Sequence, residues 1–184
     1  GVIIRLYDGR RWYISSTTES GKVQQEIDSL AGMAVFCPNI EDDPVVKKYE
    51  INQEVQLRYK DCDVSLVPNA WKLAVAEQYA DCLKACEKIP RWKVYYVDNH
   101  TRKHIVSSKG CDVTFDTQNC CVAPRYVLMK DEKPFYGRKD IYRMKFEELK
   151  GHEKELEELI REDLDYNENA VPVEPGEYTG IFSP

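Results

Sequence analysis

Several features that would define a catalytic function are missing from this 184-residue sequence. No run of about 18 apolar residues occurs, so we expect no membrane-spanning helix and no membrane partner. There is no glycine-rich phosphate loop, no nucleophile elbow and no kinase or metalloprotease signature. Only three histidines are present, which leaves few bases for Cys–His nucleophile chemistry. We therefore predict a protein that is not an enzyme and uses no cofactor.

Basic residues are also in deficit. The chain has 26 Lys and Arg against 32 Asp and Glu, which gives a formal net charge of −6. Phosphate binding needs an excess of Lys and Arg, so this balance argues against a nucleic-acid partner. It is compatible with a basic partner such as a histone tail. The length suits one large domain or two small ones.

The seven cysteines fit a closed disulfide framework poorly, because their number is odd and Cys120 and Cys121 are adjacent. Reduced thiols, and hence a nuclear or cytoplasmic location with the nucleus favoured, are the prediction. Cys82 and Cys86 have a spacing seen in zinc sites, but no second pair with ligand spacing follows. We therefore predict no metal site. A secreted, disulfide-bonded binding protein is the remaining alternative.

Short runs of β-branched and aromatic residues predict a mainly β protein. The chain opens with a predicted hairpin whose turn is Asp8-Gly9. The run 91–106 predicts a second hairpin with its turn at Asp98-Asn99. The alanines of segment 70–79 suit a helix, but its alternation favours a strand. Further strands are predicted at 33–37, 54–59, 111–115 and 125–129, and segment 22–27 suits either a strand or a short helix.

Two blocks of the chain resemble each other weakly. In each block an alternating strand ends near a tyrosine and a tryptophan begins the next strand, as Tyr7 and Trp12 do in the first block and Tyr59 and Trp71 in the second. The later helical pattern is rich in Glu and Lys, and the tail is rich in Pro and Gly. The predicted organisation is a first unit at 1–43, a second unit at 44–133, a charged helical segment at 134–166 and an extended tail at 167–184.

The strand order resembles that of Tudor, or Royal-family, domains. The resemblance is carried by residues 54–59, 71–75, 92–99 and 102–106, with residues 2–37 as a shorter preceding unit. The spacing is also similar to the tandem Tudor region of the SET-domain-bifurcated histone lysine methyltransferases. This resemblance implies a mainly β (α+β) fold of two small Tudor-like β-barrels followed by a charged surface helix.

The same resemblance implies a chromatin reader or adaptor that binds a methylated lysine or methylated arginine peptide, a histone tail above all. Ring faces attract a poorly hydrated methylated cation by roughly 0.5–2 kcal/mol per good contact. Carried over by position, the aromatic cage would use Tyr59, Trp71, Tyr96, Asp98 and Asn99 in the second unit and Tyr7 and Trp12 in the first.

Core packing is the alternative interpretation of these aromatic residues. An aromatic side chain on a strand usually contributes to the core, and Trp92, Tyr95 and Tyr96 can be explained in that way. A Tudor-like fold without a working cage would be a scaffold for protein–protein docking. In that alternative, the charged helix at 140–164 supplies the surface that contacts other proteins.

Overall fold

The computed structural model describes residues 1–130 and 132–182. It shows a mixed α/β structure with one two-stranded and one five-stranded sheet. The chain divides into two compact units, one of residues 1–53 with 106–112 and one of residues 54–105 with 113–184. The expected combination of strands and helices is confirmed, whereas the mainly β character is not, because the structure is mixed α/β, and closed barrels are not confirmed by these sheets. The boundaries proposed from the sequence remain a prediction.

The first unit is built on the predicted hairpin, which is confirmed. Strands β1 (Val2–Tyr7) and β2 (Trp12–Thr17) are antiparallel, with Tyr7 directly opposite Trp12 at the turn. Gly9 has φ 87° in this turn, a conformation that favours glycine. The buried carboxylate of Asp8 accepts hydrogen bonds from backbone amides across the turn, those of Arg10 at 2.9 Å and Arg11 at 3.0 Å.

Two helices complete the first unit. Helix α1 (Val23–Met33) packs against both strands of the hairpin and buries Leu30. Helix α2 (Pro44–Lys47) begins after Asp43, whose Oδ1 accepts a hydrogen bond from the amide of Val45 at 2.7 Å. Segment 22–27 therefore belongs to a helix. The strand predicted at 33–37 is wrong, because Met33 ends α1 and residues 34–37 form neither helix nor strand.

The second unit contains most of the five-stranded sheet. Strand β5 (Asp112–Lys130) is central and lies between β3 (Gln53–Gln56) and β4 (Arg91–Val106). Two further strands, β6 (Lys133–Arg138) and β7 (Ile141–Arg143), pair antiparallel with β5. The strand predicted at 125–129 is confirmed as part of β5, and the strand predicted at 54–59 ends early, at Gln56.

Helices α3 (Asn69–Lys84) and α4 (Glu153–Asn169) pack together and supply the core of the second unit. Their buried side chains repeat at helical spacing. They join buried strand residues in one apolar cluster that includes Val75, Tyr79, Leu83, Leu156, Ile160, Val122 and Leu128. No helix in the described part of the chain is long and apolar enough to cross a membrane.

Three predictions for the second unit are wrong. Segment 70–79 lies in α3, because its buried residues follow the helical period and not the alternation of a strand. Asp98 and Asn99 lie inside β4, and the chain reverses later, at residues 107–111. The helix predicted from residue 140 begins only at Glu153, since residues 141–143 form β7.

The tail follows the end of α4 at Asn169. Residues 170–182 form no helix or strand, whereas residues 167–169 of the predicted tail still belong to α4, so the extended tail remains a prediction. The part of that prediction that concerns residues 183–184 lies outside the described residues.

Candidate functional site

Three aromatic rings meet at the turn end of the hairpin in the first unit. The ring centroids of Tyr7 and Trp12 are 4.9 Å apart with an interplanar angle of 31°. Tyr49 lies beside Trp12, with centroids 6.3 Å apart and planes inclined by 55°. The carboxylate of Asp43 accepts a hydrogen bond from the Tyr7 hydroxyl at 3.4 Å. We call these four residues the aromatic corner.

The aromatic corner combines exposed ring surface with a negative charge. Trp12 and Tyr49 keep 42% and 50% of their surface exposed, respectively, and Tyr7 is half-buried. Burial of Tyr7, together with the charge of Asp43, raises the pKa of the Tyr7 phenol, which therefore stays neutral. The corner can thus offer ring faces and a carboxylate to a cationic group.

Several other aromatic rings of the described chain already have a cation of the protein over one face. The distances from cation to ring centroid are 5.1–5.9 Å for Arg11 over Tyr13, Lys72 over Tyr96, Lys84 over Trp92, Lys103 over Phe115 and Lys150 over Phe146. Among the described residues, no such cation lies over Tyr7, Trp12 or Tyr49. The exposed parts of the Trp12 and Tyr49 rings can therefore accept a cation from outside the protein.

Tyr96, a predicted cage residue of the second unit, has a different environment. Its ring packs edge-on against Phe146, with centroids 6.2 Å apart, and borders the apolar core. Lys72 lies 5.6 Å from the ring centroid and forms an ion pair with Asp98. Burial, with the nearby charge of Asp98, raises the pKa of Tyr96 well above its usual value. The Lys72 ammonium group thus already contacts both the Tyr96 ring and the Asp98 carboxylate.

The other predicted residues of the second unit are dispersed. Trp71 is on α3 and is 58% exposed. Tyr59 is in the turn after β3, where its amide donates a hydrogen bond to Asp116 at 3.2 Å. Asn99 is exposed on β4. In the described structure, no ring–ring contact joins Tyr59, Trp71 and Tyr96, whereas Tyr7 and Trp12 are in contact as the predicted pair.

His100 belongs to a separate polar cluster in the second unit. Its Nδ1 is 2.9 Å from Asp63, and its Nε2 is 3.3 Å from Asp116. Asp116 also accepts hydrogen bonds from the backbone amides of Arg58 and Tyr59. All these bonds fasten the loop after β3 to the sheet, which is a structural role. Within residues 1–130 and 132–182, no group of three or more His, Cys, Asp or Glu side chains could hold a metal ion.

Two members of the aromatic corner were not predicted from the sequence. Asp43-Pro44 carries a recognisable signal, since a capping residue followed by proline is typical of a helix start. That signal identifies the start of α2 and not the contact with Tyr7. Tyr49 has no local signal, because its contact with Trp12 depends on how the segment after α2 returns to the hairpin.

All seven cysteines are free thiols in the structure. The side chains of Cys120 and Cys121 are buried, and the other five are half-buried. The thiols therefore offer no evidence for a disulfide framework.

No family model, curated protein or solved structure matches the chain.

Proposed function

We propose that this protein is a non-catalytic reader that binds a methylated lysine or methylated arginine side chain of a partner peptide at the aromatic corner. The observation that carries the proposal is the cluster of Tyr7, Trp12 and Tyr49 beside Asp43, with no cation of the described chain over its rings. The ring pair of Tyr7 and Trp12 also supports the predicted first-unit site.

The chemistry of the corner favours a methylated cation over an unmodified one. An unmodified lysine ammonium is strongly hydrated and loses that hydration at a cost. A methylated cation is less hydrated and gains about 0.5–1 kcal/mol from each ring at an exposed site. Asp43 adds an attractive charge. Two or three such contacts sum to about 1–3 kcal/mol, less than the roughly 4.1 kcal/mol of a millimolar dissociation constant, so contacts of the rest of the peptide and the charge of Asp43 must supply the remainder.

In its more specific form, the proposal includes a fold of two Tudor-like barrels. A hairpin that carries an aromatic pair at its turn, close to a carboxylate, is the feature that supports the Tudor interpretation. A histone tail, in the nucleus, is the basic and methylated partner that suits the net charge of −6. The tandem arrangement would place the reader activity in the first unit.

The test is a titration of the full chain with a trimethyl-lysine peptide and its unmodified counterpart, followed by tryptophan fluorescence and by NMR. Methylation-dependent binding should shift the Trp12 indole signal. Tyr49→Leu should abolish the methylation-dependent binding, while Tyr95→Leu, at another half-exposed tyrosine, should leave that binding unchanged. Equal binding of both peptides, or full binding by Tyr49→Leu, would contradict the proposal.

Asp43→Asn separates the charge of the corner from the stability of α2. Asparagine is as good a helix N-cap as aspartate, so the helix should be retained. Loss of the negative charge should weaken methyl-peptide binding several-fold. Unchanged affinity in this variant would show that Asp43 acts only as a cap.

A scaffold for protein–protein docking is the second candidate function. By strand alternation, β4 presents Tyr95 and Val97 on the sheet face opposite to the core, at 49% and 58% exposure. Tyr136 on β6 and Tyr142 on β7 are 71% and 64% exposed. Docking through the charged helix is also part of this candidate. Failure of every methylated peptide, with capture of a partner that Tyr95→Ser abolishes, would favour docking.

A further inference from the structure

We propose that the second unit has a separate binding site for an extended acidic peptide, in a groove of about 300 Å³ on its sheet. Three strands contribute to this cationic groove, namely β4, β5 and β6. The residues that carry the proposal are Arg91, Lys93, Arg138, Val127 and Tyr136. The site is independent of the aromatic corner and of the reader function proposed for it.

The charges of the groove are the first argument. Arg125 is already engaged, because its guanidinium donates to the carbonyl oxygens of Pro124 and Lys139 at 2.8 Å each and forms an ion pair with Asp140. Among the described residues, the side chains of Arg91, Lys93 and Arg138 form no hydrogen bond or ion pair. Three cations without such a partner therefore border one groove of a chain whose net charge is −6.

This arrangement is complementary to carboxylates. Neighbouring cations repel one another, and an anionic ligand would relieve that repulsion. A guanidinium can hold a carboxylate through two parallel hydrogen bonds, so two arginines can fix the spacing between two acidic side chains. Lys93 adds a third positive charge that attracts the ligand without imposing a geometry.

The apolar lining of the groove is the second argument. Tyr136 pairs with Val127 across the two strands, and 71% of its surface is exposed. The next pair, Gly137 with Tyr126, faces the opposite side of the sheet. An exposed aromatic ring beside cations is a surface for a ligand that is both apolar and acidic.

The sheet geometry indicates a ligand with extended backbone. The groove crosses β4, β5 and β6, and because adjacent strands lie about 4.8 Å apart, β4 and β6 are separated by about 10 Å. A peptide with extended backbone, at about 3.3 Å per residue, covers this distance with three or four residues and can contact Arg91 and Arg138 together. The overall negative charge repels a polyanion such as nucleic acid. A short peptide with a few carboxylates contacts only the positively charged groove.

The experiment uses the full chain and a short labelled peptide in which glutamate alternates with phenylalanine, measured by fluorescence anisotropy at physiological salt. The matched peptide replaces each glutamate by glutamine and should bind at least tenfold more weakly. Arg138→Gln and Arg91→Gln should each weaken binding of the glutamate peptide about tenfold. Arg161→Gln, which removes an equal charge from the exposed face of α4, should not change it.

Thermal unfolding of each variant establishes that the fold is retained. Arg138→Lys keeps the charge but loses the paired hydrogen bonds, so its affinity should fall between those of the wild type and Arg138→Gln. Equal affinity for the glutamine peptide, tighter binding of an oligothymidine, undetectable binding of the glutamate peptide or unchanged binding by Arg138→Gln would each overturn the proposal. A failure of the reader proposal would leave all these outcomes unaffected, because the variants lie in different units.

Discussion

The imidazole Nε2 of His100 lies 3.3 Å from Oδ2 of Asp116, whose carboxylate side chain is only 1% exposed. On the other side of the ring, Nδ1 is 2.9 Å from Asp63. Each ring nitrogen of His100 therefore faces a carboxylate. This cluster, with the amide hydrogen bonds to Asp116, fastens the loop after β3 to strands β4 and β5.

The cluster makes stability depend on pH in the acidic range. Burial opposes ionisation of both carboxylates, but hydrogen bonds from Ser65 and from the Arg58 amide, with the charge of His100, outweigh it and lower the pKa of Asp63 and Asp116. A carboxylate with a lower pKa in the folded state stabilises the fold above its ordinary pKa of 3.8. That contribution should disappear as the pH falls below this value.

The measurement is the free energy of unfolding in urea between about pH 3 and pH 7. The stability of the second unit should fall below about pH 4, and Asp116→Asn should reduce this dependence. Asp61→Asn, at an exposed position of the same loop, is the matched control. An equal acid dependence in the wild type and Asp116→Asn would be inconsistent with the prediction.

Gln118 provides a second, uncharged connection between the same loop and the sheet. Its buried side chain donates hydrogen bonds to the carbonyl oxygens of Cys62 at 2.9 Å and Met144 at 2.6 Å, and accepts one from the Val64 amide at 3.1 Å. Gln118→Ala removes all three bonds and should lower the free energy of unfolding by about 3 kcal/mol. The exposed neighbour Thr117, replaced by alanine, should cost less than about 1 kcal/mol. Similar urea midpoints for the two variants would contradict this role.

Gly137 is required by the ring that covers it. A Cβ atom at this position would lie 2.1 Å from the Tyr126 ring, which is buried and donates a hydrogen bond to Asp163. Gly137→Ala should therefore destabilise the second unit by about 2–3 kcal/mol, as overpacking does. Gly32→Ala on α1 has open space around it and should stabilise its helix by about 0.5–1 kcal/mol. Thermal unfolding measures both effects, and a neutral Gly137→Ala would show that the ring can move.

Cys120 should be unreactive in the folded protein. Burial, with the charges of Asp98 and Glu148, raises the pKa of the Cys120 thiol to about 11. The thiolate is the reactive form, so alkylation at pH 8 should be very slow until the protein unfolds. Cys111, which is half-buried in the loop before β5, should react before Cys120. Mass spectrometry over a time course gives the order, and simultaneous modification of both thiols would refute the prediction.

Local chemistry predicted some elements of the fold correctly and others wrongly. The Asp8-Gly9 hairpin was predictable because a turn dipeptide between two β-rich runs needs no information from the rest of the chain. The Asp98-Asn99 turn was not, because the sheet carries these polar residues within a strand, where Lys72 forms an ion pair with Asp98. Segment 70–79 fits both periods over a few residues, and the apolar cluster beneath α3 selects the helix.

The candidate site shows the same division. Tyr7 and Trp12 were predicted together through the Tudor resemblance, and the tight hairpin places them opposite each other. Tyr49 and Asp43 joined them only in the structure, since their contacts connect residues about 36 positions apart in the chain. The prediction of Trp71 and Tyr59 as site residues depended on a strand at 70–79. Because this segment is a helix, the geometry expected for that part of the site is absent.

The sequence by itself determined the first hairpin and the mixture of strands with a late charged helix, because turn chemistry and hydrophobic period act over a few residues. The tertiary structure decided which apolar faces are buried, that Tyr96 and Asp98 share Lys72, and that Asp43 and Tyr49 meet the hairpin. It also brought Arg91, Lys93 and Arg138 from separate strands to one groove. These outcomes depend on contacts between distant segments, whose energies no local pattern contains.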